Sequence, residues 1–309
     1  MASSVARRPD TAPIRFGKGR GLAAALLFSI LTSAGGTLAA DAEAVARGKY
    51  LFDAAGCHNC HTDVAAKGHP LAGGRRLKTP FGDFLTPNIT ADPTHGIGKW
   101  RDADFVRALR EGKAPDGGAY YPAFPYPSYT GMTDRDMLDI KAYILSLPAS
   151  ATPNKPHELR FPYNLRILNR AWQIIYLKPG PFQPTPGKDE AYNRGAYLTE
   201  AVVHCGECHT GRNFLGALQQ DKKLAGSATG PDGKSVPNVT PHESAGVGKM
   251  SAAELASLIK DGMTPDGDFL GGAMEEVINN GTSKLTDADR AAIAAYIKAL
   301  PGLPSNARK

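Results

Sequence analysis

Apolar residues recur three and four positions apart in several separate stretches of the chain, and nowhere do they alternate with polar ones for long. The first spacing is that of a helix with one buried face, whereas sustained alternation would mark half-buried strands. Residues 44–53 carry small and apolar side chains at helical spacing, and residues 191–203 do the same. A middle helix is predicted over 102–111 and again over 251–261, each opened by a capping residue and followed by Gly112 or Gly262. The clearest helices come last. Thr133 and Thr286 are N-cap candidates with Asp136 and Asp289 three residues on, an acidic form of the capping box. Those helices run to Pro148 and Pro301, where proline stops them. The pattern predicts an all-α fold with little sheet.

The elements come in two sets because the chain is written twice. Gly-Lys-Tyr-Leu-Phe-Asp-Ala-Ala-Gly-Cys-His-Asn-Cys-His from Gly48 is echoed by Gly-Ala-Tyr-Leu-Thr-Glu-Ala-Val-Val-His-Cys-Gly-Glu-Cys-His from Gly195. Thr-Pro-Asn-Ile-Thr (86–90) matches Val-Pro-Asn-Val-Thr (236–240), and Gly-Ile-Gly-Lys-Trp (96–100) matches Gly-Val-Gly-Lys-Met (246–250). The offset is 148 residues from Cys57 to Cys205 and 150 from Asn88 to Asn238, so order and nearly spacing are preserved. A repeat of this kind predicts two copies of one small domain, at 41–148 and 191–303. The segment between them, 149–190, is rich in proline around an apolar stretch from Leu165 to Leu177. It reads as an extended, wrapping connector whose Trp172, Ile174, Ile175 and Leu177 seal the two domains together, a docking surface for a partner or membrane being the other reading.

Composition changes this picture only at the amino end. Residues 1–40 hold Arg7, Arg8, Arg15, Lys18 and Arg20 against Asp10, then an apolar run from Gly21 to Leu31 and small residues up to Ala40. This is the layout of a secretory signal peptide, with cleavage expected near Ala40. Of the chain's 36 basic and 30 acidic residues, removing that segment leaves 31 and 29, a net charge of +2. A mature chain so close to neutrality has no electrostatic case for binding nucleic acid. No later segment is apolar for long enough to span a bilayer, so the mature protein is expected to be exported to the periplasm as a soluble or peripherally membrane-bound protein.

All four cysteines lie in Cys57-His58-Asn59-Cys60-His61 and Cys205-Gly206-Glu207-Cys208-His209. Cysteines three apart stand about one helical turn from each other, so both thiols can reach the vinyl groups on one edge of a haem while the following His turns to the iron. On this reading Cys57, Cys60, Cys205 and Cys208 attach two covalent haem c groups, and His61 and His209 ligate the irons. The competing readings are a structural zinc site, a thioredoxin-like redox pair and two short disulfides. Zinc pairs usually lie about 12–20 residues apart, a thioredoxin-like pair needs a β-α-β setting, and two-residue disulfide loops stabilise little.

With these motifs the chain resembles c-type cytochromes with two haem domains, similar to the cytochrome subunits that accept electrons from membrane-associated bacterial alcohol, gluconate and aldehyde dehydrogenases. The resemblance covers nearly all of the mature sequence, including the Pro-Asn-x-Thr loop and Tyr-Pro-Ala-Phe-Pro-Tyr at 121–126. Subunits of that group often carry three haems and a C-terminal anchor, whereas two motifs are present here. The resemblance places the sixth ligand of the second haem at Met274, eight residues after Asp266. The corresponding position after Asp116 is Phe124, which cannot bind iron. Met132 and Met137 read as structural, His69 and His95 as loop residues that could reach the first iron, and the two haems are expected to differ spectrally. Asn88 and Asn238 either shape the loop beside the haem or form simple Pro-Asn turns.

The function implied is electron transfer between periplasmic redox proteins, from a dehydrogenase subunit towards an oxidase or soluble cytochrome. The alternative is a haem enzyme, peroxidase-like or another small-molecule oxidoreductase, using an open position on the first haem.

Overall fold

In the computed structural model, which describes residues 41–230 and 233–307, the predicted apolar faces are buried helices. The export segment read at 1–40 lies outside the described residues. In the first half, helical residues 41–54 (α1) lead into Cys57–His61 (α2), followed by Asp102–Glu111 (α3), Tyr126–Tyr129 (α4) and Asp134–Ser146 (α5). The connector contributes Arg166–Tyr176 (α6). The second half repeats the order with Glu190–Tyr197 (α7), Gly206–His209 (α8), Ala252–Asp261 (α9), Ala273–Asn280 (α10) and Asp287–Lys298 (α11), α7 ending in a wider π turn over Leu198–Val202.

The long helices of each half cross at a glycine. A Cβ on Gly48 would sit 1.8 Å from the carbonyl oxygen of Asp139 in α5, and one on Gly195 would sit 1.9 Å from that of Ala292 in α11. Only a residue without a side chain lets these backbones approach so closely. One buried apolar cluster then runs through both halves, with Leu51, Met137 and Ile140 from the first and Leu198, Val202 and Ile293 from the second.

The expected caps are present, with one change. Thr133 and Thr286 each accept a hydrogen bond at Oγ1 from the backbone N–H of Asp136 and Asp289, both 3.1 Å. The returning half of the box is absent, because each carboxylate is turned elsewhere. Arg47 and Tyr197 bind Asp136, while Arg194 and Tyr50 bind Asp289. Tyr50 Oη donates to Asp289 at 2.6 Å and accepts from the Thr286 N–H at 3.1 Å, and Tyr197 does the same for Asp136 and Thr133. The tyrosine of one half therefore caps the last helix of the other, in both directions.

The all-α expectation needs correction. Arg76–Thr79 (β1), Gly82–Leu85 (β2) and Glu158–Leu159 (β3) form a three-stranded antiparallel sheet, in register Arg76 to Leu85 and Asp83 to Glu158. Strands of two to four residues are too short to display a period, and the third comes from the connector. The sealing role expected of the connector also fails in part. The face that α6 turns to the first half is polar, with Asn169 bonded to the carbonyls of Ala119 and Tyr120 and Gln173 to that of Gly112, while Ile174 and Ile175 face outward.

Candidate haem-binding sites

A left-handed residue separates each leading helix from its cysteine pair: Gly56 at φ 65° in the first half and His204 at φ 47° in the second. The sharp turn starts a new short helix at the motif, so the two cysteines of each pair lie one turn apart. All four thiols are free of disulfides. Burial pushes those of Cys57 and Cys205 up to about 12 and that of Cys208 up to about 11, and it raises Cys60 too. Among the described residues no three His, Cys, Asp or Glu side chains gather into a metal-binding group.

His61 and His209 are held identically. Nδ1 of His61 lies 2.8 Å from the carbonyl oxygen of Pro87, and Nδ1 of His209 lies 2.8 Å from that of Pro237. A carbonyl can only accept, so Nδ1 carries the hydrogen and Nε2 keeps its lone pair. Burial lowers the pKa of both imidazoles, against the opposing pull of the proline carbonyls, and keeps the rings neutral at neutral pH. A neutral imidazole oriented through its second nitrogen is the form that binds a metal.

The loop that supplies the carbonyl is itself fixed. Asn88 donates from Nδ2 to Ser150 O (2.8 Å) and Thr152 O (2.9 Å) and accepts at Oδ1 from the N–H and hydroxyl of Thr90. Asn238 repeats this with Leu303 O (2.7 Å) and Thr240. Both asparagines are buried, so their role is to fasten the histidine-holding loop to the chain beyond the last helix. On its other side the loop meets Gly73, where a Cβ would come within 2.4 Å of Pro87 C and Thr86 O, and whose N–H donates to His61 O at 2.8 Å. Gly226 donates to His209 O at 2.7 Å in the second half.

The residue between each pair of cysteines reaches across to the other half. Asn59 accepts from Asn280 Nδ2 at 2.7 Å, while Arg75 grips Glu276 of α10 through two bonds of 2.8 and 3.1 Å. In the opposite direction Glu207 accepts from Ser128 of α4 at 2.7 Å and from Arg212 at 2.6 Å. Between the motifs, buried Tyr129 donates to Ala55 O at 2.9 Å, and its ring meets that of His204 edge-on at 5.3 Å. The two cysteine sites are neighbours: Cys60 adds to the upward shift of Cys208.

Met274 is half-buried in the first turn of α10. Phe124 sits in the turn before α4, with the rings of Tyr120, Tyr126 and Tyr129 around it at 5.7–6.2 Å. Met132 and Met137 are fully buried in the core, His69 is exposed, and His95 lies 3.5 Å from Asp92. Cys57 and Cys205 pack, only partly covered, against the apolar core, as do Ile89, Trp100, Val106 and Leu147. The donor set fits a haem: two neutral thiols, an imidazole with Nε2 free, and apolar walls. Sequence reasoning did not foresee the two proline carbonyls or the Tyr129–His204 contact. A backbone acceptor leaves no mark in residue type, although the repeated Pro-Asn dipeptide marked the loop.

These features define a small helical haem-attaching protein, and comparison with known proteins agrees. The Cytochrome c family profile matches residues 45–148. A diheme cytochrome c-type protein of Cereibacter sphaeroides is 42% identical over 266 residues, covering 83% of this chain and 86% of the relative. The fructose dehydrogenase cytochrome subunit of Gluconobacter japonicus is 39% identical over 83% of this chain and 52% of its own length. The alcohol dehydrogenase (quinone) cytochrome c subunit of Komagataeibacter europaeus is 36% identical over 91% of this chain. The chain spans 61% of that last subunit's length. The chain belongs to the cytochrome c family, whose members carry covalent haem c and transfer electrons.

Proposed function

We propose that this protein is a dihaem electron carrier built of two tandem cytochrome c domains, 41–148 and 191–303, joined by the connector 149–190. One haem c is attached at Cys57 and Cys60 with His61 as ligand, and the other at Cys205 and Cys208 with His209. The observation that carries the reading is the duplicated imidazole–proline carbonyl bond, 2.8 Å in both halves, which presents Nε2 of each histidine beside its cysteine pair. The bound group supplies a reversible one-electron iron couple. The protein sets its potential through ligand, burial and hydrogen bonds.

Met274 would supply a thioether to the second haem, and Phe124 would leave the first without one at the matching place. Thioether ligation raises the potential of haem iron, so the second centre is the higher of the two. Electrons arrive from a dehydrogenase, cross between the neighbouring sites and leave to an oxidase or soluble cytochrome, in the periplasm or at its membrane surface. The named relatives from fructose and alcohol dehydrogenases support a dehydrogenase as donor.

A redox titration of the exported protein is expected to resolve two centres. Met274→Leu should lower the higher one and remove its near-infrared sulfur-to-iron band while leaving the other unmoved. Two indistinguishable thioether-ligated centres would overturn this assignment. The second reading, small-molecule chemistry at the first haem, draws on Phe124. Cyanide binding at that centre together with peroxide turnover would favour it, and rapid reduction by a dehydrogenase without ligand binding would favour the carrier.

A further inference from the structure

Helix α6 is amphipathic with its apolar side turned away from the protein. Its inward stripe, Asn169 and Gln173, is 6–7% exposed and spent on backbone carbonyls of the first half. Arg166 adds a bond to Ala119 O at 3.2 Å and stacks over Tyr121. On the opposite side, Ile167, Ile174 and Ile175 are 71%, 79% and 65% exposed, and Leu168 is 47% exposed. Positions 167, 171, 174 and 175 share one helical face, so these aliphatic side chains form a continuous stripe. Phe161, 79% exposed, precedes the helix. A soluble protein does not leave so ordered an apolar face bare without a use for it.

Charge identifies the occupant. From residue 159 to residue 188 the chain carries Arg160, Arg166, Arg170, Lys178 and Lys188 and no Asp or Glu. Arg170 and Lys178 are exposed, Arg170 beside the apolar face and Lys178 just beyond the helix end. Trp172 and Tyr176, amphipathic rings, occupy the other margin and bond to Leu215 O and Asn213 of the second half. A convex aliphatic stripe with no polar group at its centre, rimmed by cations and bordered by Trp and Tyr, is the pattern of a helix lying in the headgroup layer of an anionic bilayer. We propose that α6 docks this protein on a phospholipid surface, with Ile167, Ile174 and Ile175 in the acyl boundary and Arg170 and Lys178 among the phosphates. This deepens the membrane-surface placement proposed above and is independent of haem number.

The test is flotation of the exported, haem-loaded protein with vesicles of phosphatidylcholine containing phosphatidylglycerol, alongside Ile174→Glu/Ile175→Glu and Ile174→Leu/Ile175→Leu variants. Wild type and the leucine variant should float, with less bound as salt rises. The glutamate variant should lose binding by about tenfold or more, because two apolar side chains become charged at the contact. Failure of the wild type to float, or equal flotation of the glutamate variant, overturns the proposal, the latter placing the contact elsewhere, such as at exposed Phe214 or Phe269. A wild-type dimer in sedimentation that the glutamate variant dissolves, without vesicle binding, would make the face a self-interface and also overturn it. The haem absorbance of all three proteins stays the same, so such a failure leaves the electron-transfer reading intact.

Discussion

At the scale of single residues, the two halves reach the same ends by different side chains. Ser251 and Glu254 close a full capping box on α9, with bonds of 3.1 and 2.7 Å. The matching pair on α3 is Arg101 and Asp104. Arg101 has no acceptor to offer, so Asp104 accepts from the Arg101 N–H and is clamped by the guanidiniums of Arg101 and Arg107 at 2.9 Å. The helix predicted from residue 102 therefore has its cap one residue earlier, at Arg101, a side chain that normally cannot cap and so hides the boundary. Hydrogen bonding from Arg101 holds the Asp104 carboxyl down to about 2. A folded-state pKa below the unfolded one means that the unfolded chain binds more protons in between. The contribution of Asp104 to stability is thus whole above its ordinary value of 3.8 and lost as pH falls towards 2. Acid unfolding followed by circular dichroism should show this slope in the wild type and a flatter one in Asp104→Asn. Equal slopes would show that the clamp does not stabilise the fold.

At the scale of elements, the seam is governed by two reciprocal tyrosines. Tyr50 from α1 caps α11, and Tyr197 from α7 caps α5, each binding a carboxylate that an arginine of that carboxylate's own half also holds. A hydrogen bond to a charged group contributes about 1.5–3 kcal/mol, so Tyr50→Phe and Tyr197→Phe should each lower the unfolding free energy by about that amount. Urea titration of the two single variants and the double checks this, and a change below about 0.5 kcal/mol in each would refute the latch.

These contacts mark the boundary of what was legible in the chain. Thr133, Thr286 and the helices they open follow from local rules, as do the middle helices and the cysteine motifs. The partner of Asp136 lies 61 residues away and that of Asp289 lies 239 away, so no local pattern announces them. In the short sheet β1 and β2 form a local hairpin too short to show a period, while β3 meets β2 only from the connector, more than 70 residues on. The connector was read as extended because of its prolines, yet residues 166–176 contain none and form α6. Asn169 and Gln173 found backbone carbonyls on the first half, and that choice turned the isoleucines outward.

At the scale of the whole molecule, duplication explains why both sites share one geometry and why their differences are informative. Gly73 and Gly226, Asn88 and Asn238, and Pro87 and Pro237 recur around His61 and His209 with nearly equal distances. What differs is Phe124 against Met274, the residue proposed above as the thioether ligand of the second haem. The halves also share one core and exchange contacts at the cysteine motifs themselves, which brings the two motifs together in one folded unit. Among the described residues no helix is long and apolar enough to cross a membrane.

All of this depends on thioether attachment at Cys57, Cys60, Cys205 and Cys208. The most direct measurement is the intact mass of the protein after export from a host that matures c-type cytochromes, read together with its pyridine haemochrome spectrum. The account predicts a chain heavier by two haems, with both groups surviving acid–acetone extraction. A mass equal to that of the bare polypeptide and no visible absorption would contradict it.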